Sequence, residues 1–140
     1  MTESFHLNEV YSLLNFVPKK GEGAYLYTEC GREILDLYAG HAVMSLGYNH
    51  PDLNVAINEQ LKELIFQSNA VDLPIRELAA KSLITLAPDS LRKVFFVNSG
   101  AEANENALKL ALKITKRKKI IAFEHGFHGR TAAAASVTWN

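Results

Sequence analysis

Two short stretches of this 140-residue chain hold the residues that could do chemistry. The first is Asn98-Ser99-Gly100-Ala101-Glu102, where the apolar run Val94–Val97 stops and a helical pattern begins at once. Ser99 followed by Glu102 three residues on is a capping box. Gly100 and Ala101 are the smallest residues a first helical turn can carry, and they let a ligand approach the backbone closely. The first N–H groups of a helix lack partners inside it and sit at the positive end of its dipole, so such a site suits a phosphate. Taken alone, the pattern says only that a helix is well capped.

The second stretch is Glu124-His125-Gly126-Phe127-His128-Gly129-Arg130-Thr131. Its two glycines free the backbone and present Phe127, His128 and Arg130. An aromatic face can stack on a planar ring, and an arginine fork can take a carboxylate in bidentate fashion. The plainer alternatives are a loop aromatic packed on the core and an arginine capping a carbonyl. His125 and His128 have the H-x-x-H spacing of a metal pair, but no third ligand is sensibly spaced, and no metal site is expected. The usual nucleotide motifs G-x-x-x-x-G-K-[ST] and G-x-G-x-x-G are absent. Val97–Ala101 lacks the first glycine of a nucleophile elbow, so Ser99 reads as a cap and not as a nucleophile.

These stretches need elements to hold them. Residues 93–98 and 119–123 read as buried-type strands. Between them Ala103, Ala107, Leu110, Ala111 and Ile114 make one apolar helical stripe, with Glu102, Glu105, Asn106, Lys109, Lys113 and Lys116 on the other face. Strand, helix and strand form a βαβ unit of a parallel sheet, which brings both stretches to one sheet edge, where ligands of open α/β sheets sit. Upstream, Ala24–Tyr27 and Ile34–Leu37 flank the turn-like Thr28–Gly31 and predict a β-hairpin. Leu7–Leu14 suggests a short helix that Pro18 ends, and Ala39–Leu46 a further extended segment. Pro51 and Asp52 open a helix over 51–66, and Pro74 opens another that Pro88 stops. A new segment begins at Thr131–Val137. The change from hairpin to βαβ composition sets a boundary near residues 68–74, giving an N-terminal part, 1–70, and a second part, 71–140.

Composition limits the function classes. Fifteen basic residues balance fifteen acidic ones, so nothing draws the chain electrostatically to nucleic acid or an anionic membrane. The one basic run, Lys116-Arg117-Lys118-Lys119, suits a solvated helix C-terminus. A single cysteine, Cys30, forbids an intrachain disulfide; with no signal peptide evident, a cytoplasmic location is expected. No apolar run nears the roughly 18 residues a membrane span needs.

Asn98-Ser99-Gly100-Ala101-Glu102-Ala103-Asn104-Glu105, followed by Phe127-His128-Gly129-Arg130-Thr131, strongly resembles the class III pyridoxal-phosphate aminotransferases of fold type I. Within them the acetylornithine aminotransferases are the best match. Gly21–Tyr27, Gly31-Arg32-Glu33, Leu35-Asp36-Leu37, Ala42-Val43, Gly47 and His50-Pro51 follow that family's N-terminal segment in order. The resemblance implies an α/β fold: the N-terminal portion of a fold type I transferase, with a hairpin segment belonging to the small domain (1–70) and the start of a mainly parallel sheet with flanking helices, the large cofactor domain (71–140). It implies pyridoxal 5'-phosphate as cofactor. Ser99, Gly100 and Ala101 would hold its phosphate, Phe127 would stack on its ring and His128 would flank the ring. Arg130 would take the substrate α-carboxylate, and Tyr11 with Gly40–Val43 would build the substrate mouth. His41 stands where relatives commonly carry an apolar residue.

The implied activity moves the amino group of N-acetylornithine, or a similar N-acyl-ornithine, to 2-oxoglutarate in arginine biosynthesis. Alternatives are another class III transferase acting on ornithine, 4-aminobutyrate or a lysine-pathway semialdehyde, and a non-catalytic phosphate-binding fragment. The Schiff-base lysine of the family is expected beyond residue 140, since the lysines here fall on helix surfaces, the basic corner or polar turns. The chain is therefore expected to be a fragment, inactive alone, of an enzyme that works as a homodimer on small amino-acid and 2-oxoacid substrates.

Overall fold

The computed structural model describes residues 6–8 and 10–139. The polypeptide divides into two compact units, Met1–Val71 and Asp72–Asn140.

The first unit is built on a three-stranded antiparallel sheet in the order β1 (Pro18–Glu22), β2 (Tyr25–Thr28), β3 (Glu33–Leu35). The β2–β3 hairpin is the one its composition predicts, pairing Leu26 with Ile34 across a turn closed by Gly31 at φ +79°. Strand β1 has no apolar alternation to announce it. Its proline stands at the first position of an edge strand, where no ladder N–H is required of it. The expected helix near Leu7–Leu14 is not formed by the described residues, Glu9 lying outside them; Val10 N–H donates to Asn8 O and Phe16 N–H to Leu14 O, which are isolated turns.

After β3 the backbone does not stay extended, contrary to the pattern at Ala39–Leu46. It makes one turn of left-handed helix, α1 (Ala39–Ala42), with φ of 51°, 57°, 59° and 62° in succession. Left-handed helix costs an L-residue with a side chain roughly 1–2 kcal/mol, so three such residues in one turn need outside support. Asp36 gives it: one carboxylate oxygen accepts the N–H groups of Tyr38 (2.8 Å) and Ala39 (2.9 Å), and the other accepts the Tyr48 hydroxyl at 2.5 Å. Tyr48 is in turn fixed to the sheet by two backbone hydrogen bonds with Gly23. Its ring fills the space beside Gly21, where a Cβ would lie 2.5 Å from the ring. Helix α2 (Pro51–Glu63) follows, with Pro51 and Asp52 in its first turn as expected.

The second unit carries α3 (Pro74–Thr85), α4 (Gly100–Thr115) and α5 (Ala132–Val137). The two apolar segments read as parallel strands, 93–98 and 119–123, enter no ladder, and no backbone hydrogen bond joins them among the described residues. A parallel strand gains its hydrogen bonds and its burial only between neighbours and under helices on both faces. Here Phe95, Ile121 and Phe123 stay 72%, 98% and 89% exposed. Helix α4 is likewise turned from the expected arrangement. Its stripe of Ala103, Ala107, Leu110, Ala111 and Ile114 is exposed, whereas Asn104 and Glu105 on the polar side are packed.

The accessible surface is 12748 Å². Two independent compact bodies of half this mass would together expose about 8,700 Å². The excess goes with many large apolar side chains left exposed, Ile121, Phe123 and Leu37 among them.

Candidate active site

Helix α4 begins where the sequence predicts. The Ser99 hydroxyl accepts the Glu102 N–H at 3.1 Å, one half of a capping box. The other half is displaced by one residue: the Glu102 carboxylate takes the N–H of Asn98 (2.7 Å) instead of that of Ser99. The N–H groups of Ser99, Gly100 and Ala101 therefore have no protein acceptor among the described residues. A Cβ on Gly100 would meet nothing within 4 Å, so the approach to these donors is open.

The second stretch closes on this helix end. Gly129, at φ +130°, is buried against it: a Cβ there would lie 2.5 Å from Ala101 Cβ and 2.9 Å from Ala101 Cα. Asn104 Nδ2 donates to His128 O at 2.7 Å. One oxygen of Glu105 accepts the Thr131 hydroxyl (2.8 Å) and the N–H groups of Ala133 (2.9 Å) and Ala134 (3.3 Å) at the start of α5. These bonds, the Thr131 hydroxyl foremost, hold the Glu105 carboxyl below the usual carboxylate range, and Lys109 adds to them. From the far side Thr138 Oγ1 accepts the His128 N–H, Trp139 N–H donates to Gly126 O, and the Trp139 ring packs on His125.

Together these contacts shape an open cavity of about 400 Å³ lined by Gly100, Ala101, Asn104, Phe127, His128, Gly129 and Arg130. The structure thus gathers Gly100, Ala101, Phe127, His128 and Arg130 around one space. Ser99 stands behind them as the cap, outside the lining. Tyr11 belongs to the first unit. The Arg130 guanidinium lies 5.9 Å from the centre of the Phe127 ring. Phe127 itself is 68% exposed and not packed on a core, with the Arg130 guanidinium over one face of its ring.

Sequence reasoning missed Asn104 and Gly129 as lining residues and assigned Glu105 to a solvated face. Their spacing carried a signal: Ala101, Asn104 and Glu105 fall three and four apart on one side of α4. No group of three His, Cys, Asp or Glu side chains among the described residues is arranged to hold a metal ion, and no helix is long and apolar enough to cross a membrane. Cys30 is exposed in the β2–β3 turn, its thiol held down by the Thr28 hydroxyl.

Chemically the cavity offers free backbone donors for an anion, an exposed aromatic side chain for a flat ring, and a guanidinium beside it. The family model for class III aminotransferases matches residues 7–140. An acetylornithine aminotransferase from Methanopyrus kandleri is 45% identical over 139 residues, 99% of this chain and 36% of that protein. A [LysW]-aminoadipate semialdehyde/glutamate semialdehyde transaminase from Sulfurisphaera tokodaii is also 45% identical, over 86% of this chain and 31% of its own length. The chain thus spans about a third of the curated relatives it matches. Among solved structures, taurine:2-oxoglutarate aminotransferase from Bifidobacterium kashiwanohense, in complex with PLP and glutamate, superposes with a TM-score of 0.84 at 30% identity, over 96% of this chain and 31% of that one. A match that runs through both chemical stretches and the sheet before them settles the family: the chain belongs to the class III aminotransferases, pyridoxal-phosphate-dependent transferases of fold type I.

Proposed function

We propose that an enzyme built on this chain moves the amino group of N-acetylornithine, or a similar N-acyl-ornithine, to 2-oxoglutarate, and that Asp72–Asn140 supplies one wall of its pyridoxal phosphate site. The observation that carries the reading is the helix end with three consecutive free N–H groups beside an exposed aromatic ring and a guanidinium. In this reading Gly100 and Ala101 hold the phosphate, with Ser99 keeping the first turn in place. Phe127 lies against the pyridine ring and His128 flanks it. Arg130 takes the substrate α-carboxylate and so aims the amine. When bound, the cofactor would serve as the electron sink for the bond changes at the substrate carbon that bears the transferred amine. The residues here bind and orient; no lysine is among the residues that line the cavity, and in this reading the lysine that moves the proton lies beyond residue 140.

By the same reading the first unit belongs to the small domain of the enzyme, with Tyr11 and the Gly40–Val43 segment at the substrate mouth. The bare segments 93–98 and 119–123 become strands of a parallel sheet completed by residues outside this chain. The working form is a cytoplasmic homodimer in arginine biosynthesis.

A second reading, a transferase acting on a lysine-pathway semialdehyde, has equal support in percentage identity: the Sulfurisphaera tokodaii relative, named for [LysW]-aminoadipate semialdehyde and glutamate semialdehyde, is also 45% identical, over 86% of this chain against 99% for the Methanopyrus kandleri one. Transamination rates of the full enzyme with N-acetylornithine, free ornithine, 4-aminobutyrate and the amine that corresponds to [LysW]-aminoadipate semialdehyde, each as amino donor, separate the two. A kcat/KM highest for N-acetylornithine supports the first reading; one highest for another donor replaces it.

A further inference from the structure

Helix α4 does more than present its N-terminus. Two adjacent side chains, Asn104 and Glu105, leave its polar face and seize the loop that carries the cavity's other wall. Asn104 holds the His128 carbonyl at 2.7 Å, on one side of Arg130. Glu105 holds the Thr131 hydroxyl and the Ala133 and Ala134 N–H groups, on the other side. Gly129 between them lies flat on Ala101, with no room for a side chain. The loop that bears Phe127 and Arg130 is thus tied to the helix at both flanks, close to the free N–H groups of its first turn.

We propose that Asn104 and Glu105 are positioning residues for the cofactor and substrate site: their paired grip sets the distance between the anion-binding helix end and the Phe127–Arg130 wall. This rests on the functional reading above. Neither side chain performs a chemical step. A carboxylate accepting three donors is hard to replace, because removing it leaves three polar groups without partners. The loop would then shift relative to the helix end, and small misplacements of binding groups are costly in rate.

The test uses the full enzyme with Glu105→Gln, Glu105→Ala, Asn104→Ala and the Asn104/Glu105 double variant to Ala. Asn106→Ala is the control, since Asn106 bonds within its own helix, to Glu102 O. Apparent affinity for pyridoxal phosphate is read by titrating the apo-protein and following the cofactor's absorbance, alongside melting temperature and the KM for the amino donor. The expected result is a loss of cofactor affinity of about tenfold or more in Glu105→Ala. Glu105→Gln, which keeps an acceptor oxygen, should lose less. The donor KM should rise because Arg130 has moved, and the double variant should fall short of the summed single effects. The grip is overturned if Glu105→Ala and Asn104→Ala keep cofactor affinity and donor KM within about twofold of the parent, or if Asn106→Ala loses as much as they do. Should Glu105→Ala fail to fold, Glu105→Gln and Asn104→Ala decide by the same limits. A parent protein that binds no pyridoxal phosphate overturns the functional reading and the grip with it; retained affinity in the variants overturns the grip alone.

Discussion

Gly129 makes the sharpest case at the residue scale. Its φ of +130° and its contact with Ala101 leave no room for a methyl group against the backbone of α4. Gly129→Ala should destabilise the second unit by about 1–3 kcal/mol through strain and overpacking, and should weaken pyridoxal phosphate binding in the full enzyme. A thermal melt of the full enzyme with a cofactor titration checks both. Gly100→Ala is the useful contrast, since nothing lies within 4 Å of the added carbon; it should leave the melt nearly unchanged and act on cofactor affinity alone. Glu105 adds a pH dependence with a definite sign. Its carboxyl is held below the usual range by the Thr131 hydroxyl, the Ala133 and Ala134 N–H groups and Lys109. The stability it contributes is complete above the ordinary carboxylate range and is lost as pH falls through the lowered value. The melting temperature of the parent should therefore drop on the acid side more steeply than that of Glu105→Gln, and parallel acid limbs would contradict this.

Among the elements, those with local signals were legible and those defined by neighbours were not. Helices α2 and α3 announced themselves by Pro51 and Pro74 at their first positions, and α4 by Ser99 and Glu102. The β2–β3 hairpin followed from two β-rich runs around Thr28–Gly31. Strand β1 has only a proline, two lysines, a glycine and a glutamate, so pairing with β2 and not pattern makes it a strand. The segments 93–98 and 119–123 show the reverse: a strong strand pattern with no partner to pair with. The cavity was legible where types are rare, at Gly100, Phe127 and Arg130. It was illegible at Glu105, because a helical acid one turn from a lysine reads as an exposed ion pair. That pair with Lys109 exists, at 3.5 Å, through the oxygen the loop does not use. At the same scale, Ser99→Ala should cost about 1 kcal/mol by removing the cap of α4, visible as a lower melting temperature of the full enzyme. An unchanged melt would mean that the Glu102–Asn98 bond alone closes the helix end.

For the whole molecule, the arithmetic of surface decides. Ala134 is the one fully buried hydrophobic residue among those described, while Leu37, Leu86, Ile121 and Phe123 are each more than 80% exposed. So many large apolar side chains left exposed mark surfaces meant to be covered. The 140-residue polypeptide by itself should bind a hydrophobic dye such as ANS, melt without a cooperative transition and show no transamination. A sharp calorimetric transition with no dye binding would refute that. One local feature survives this openness, because it is tied by its own hydrogen bonds: the turn Ala39–Ala42 held by Asp36. Its handedness is that of a helix of mirror-image amino acids. At positions 39, 41 and 42 a D-residue would be the relaxed occupant and the natural L-residue is the strained one, while Val43, the first β-branched side chain after it, waits until φ has returned to −68°. Stereochemistry thus becomes a handle on this turn. In a semisynthetic protein, D-alanine at position 42 should tighten it with no change of composition, whereas L-valine at the same place should spring it open.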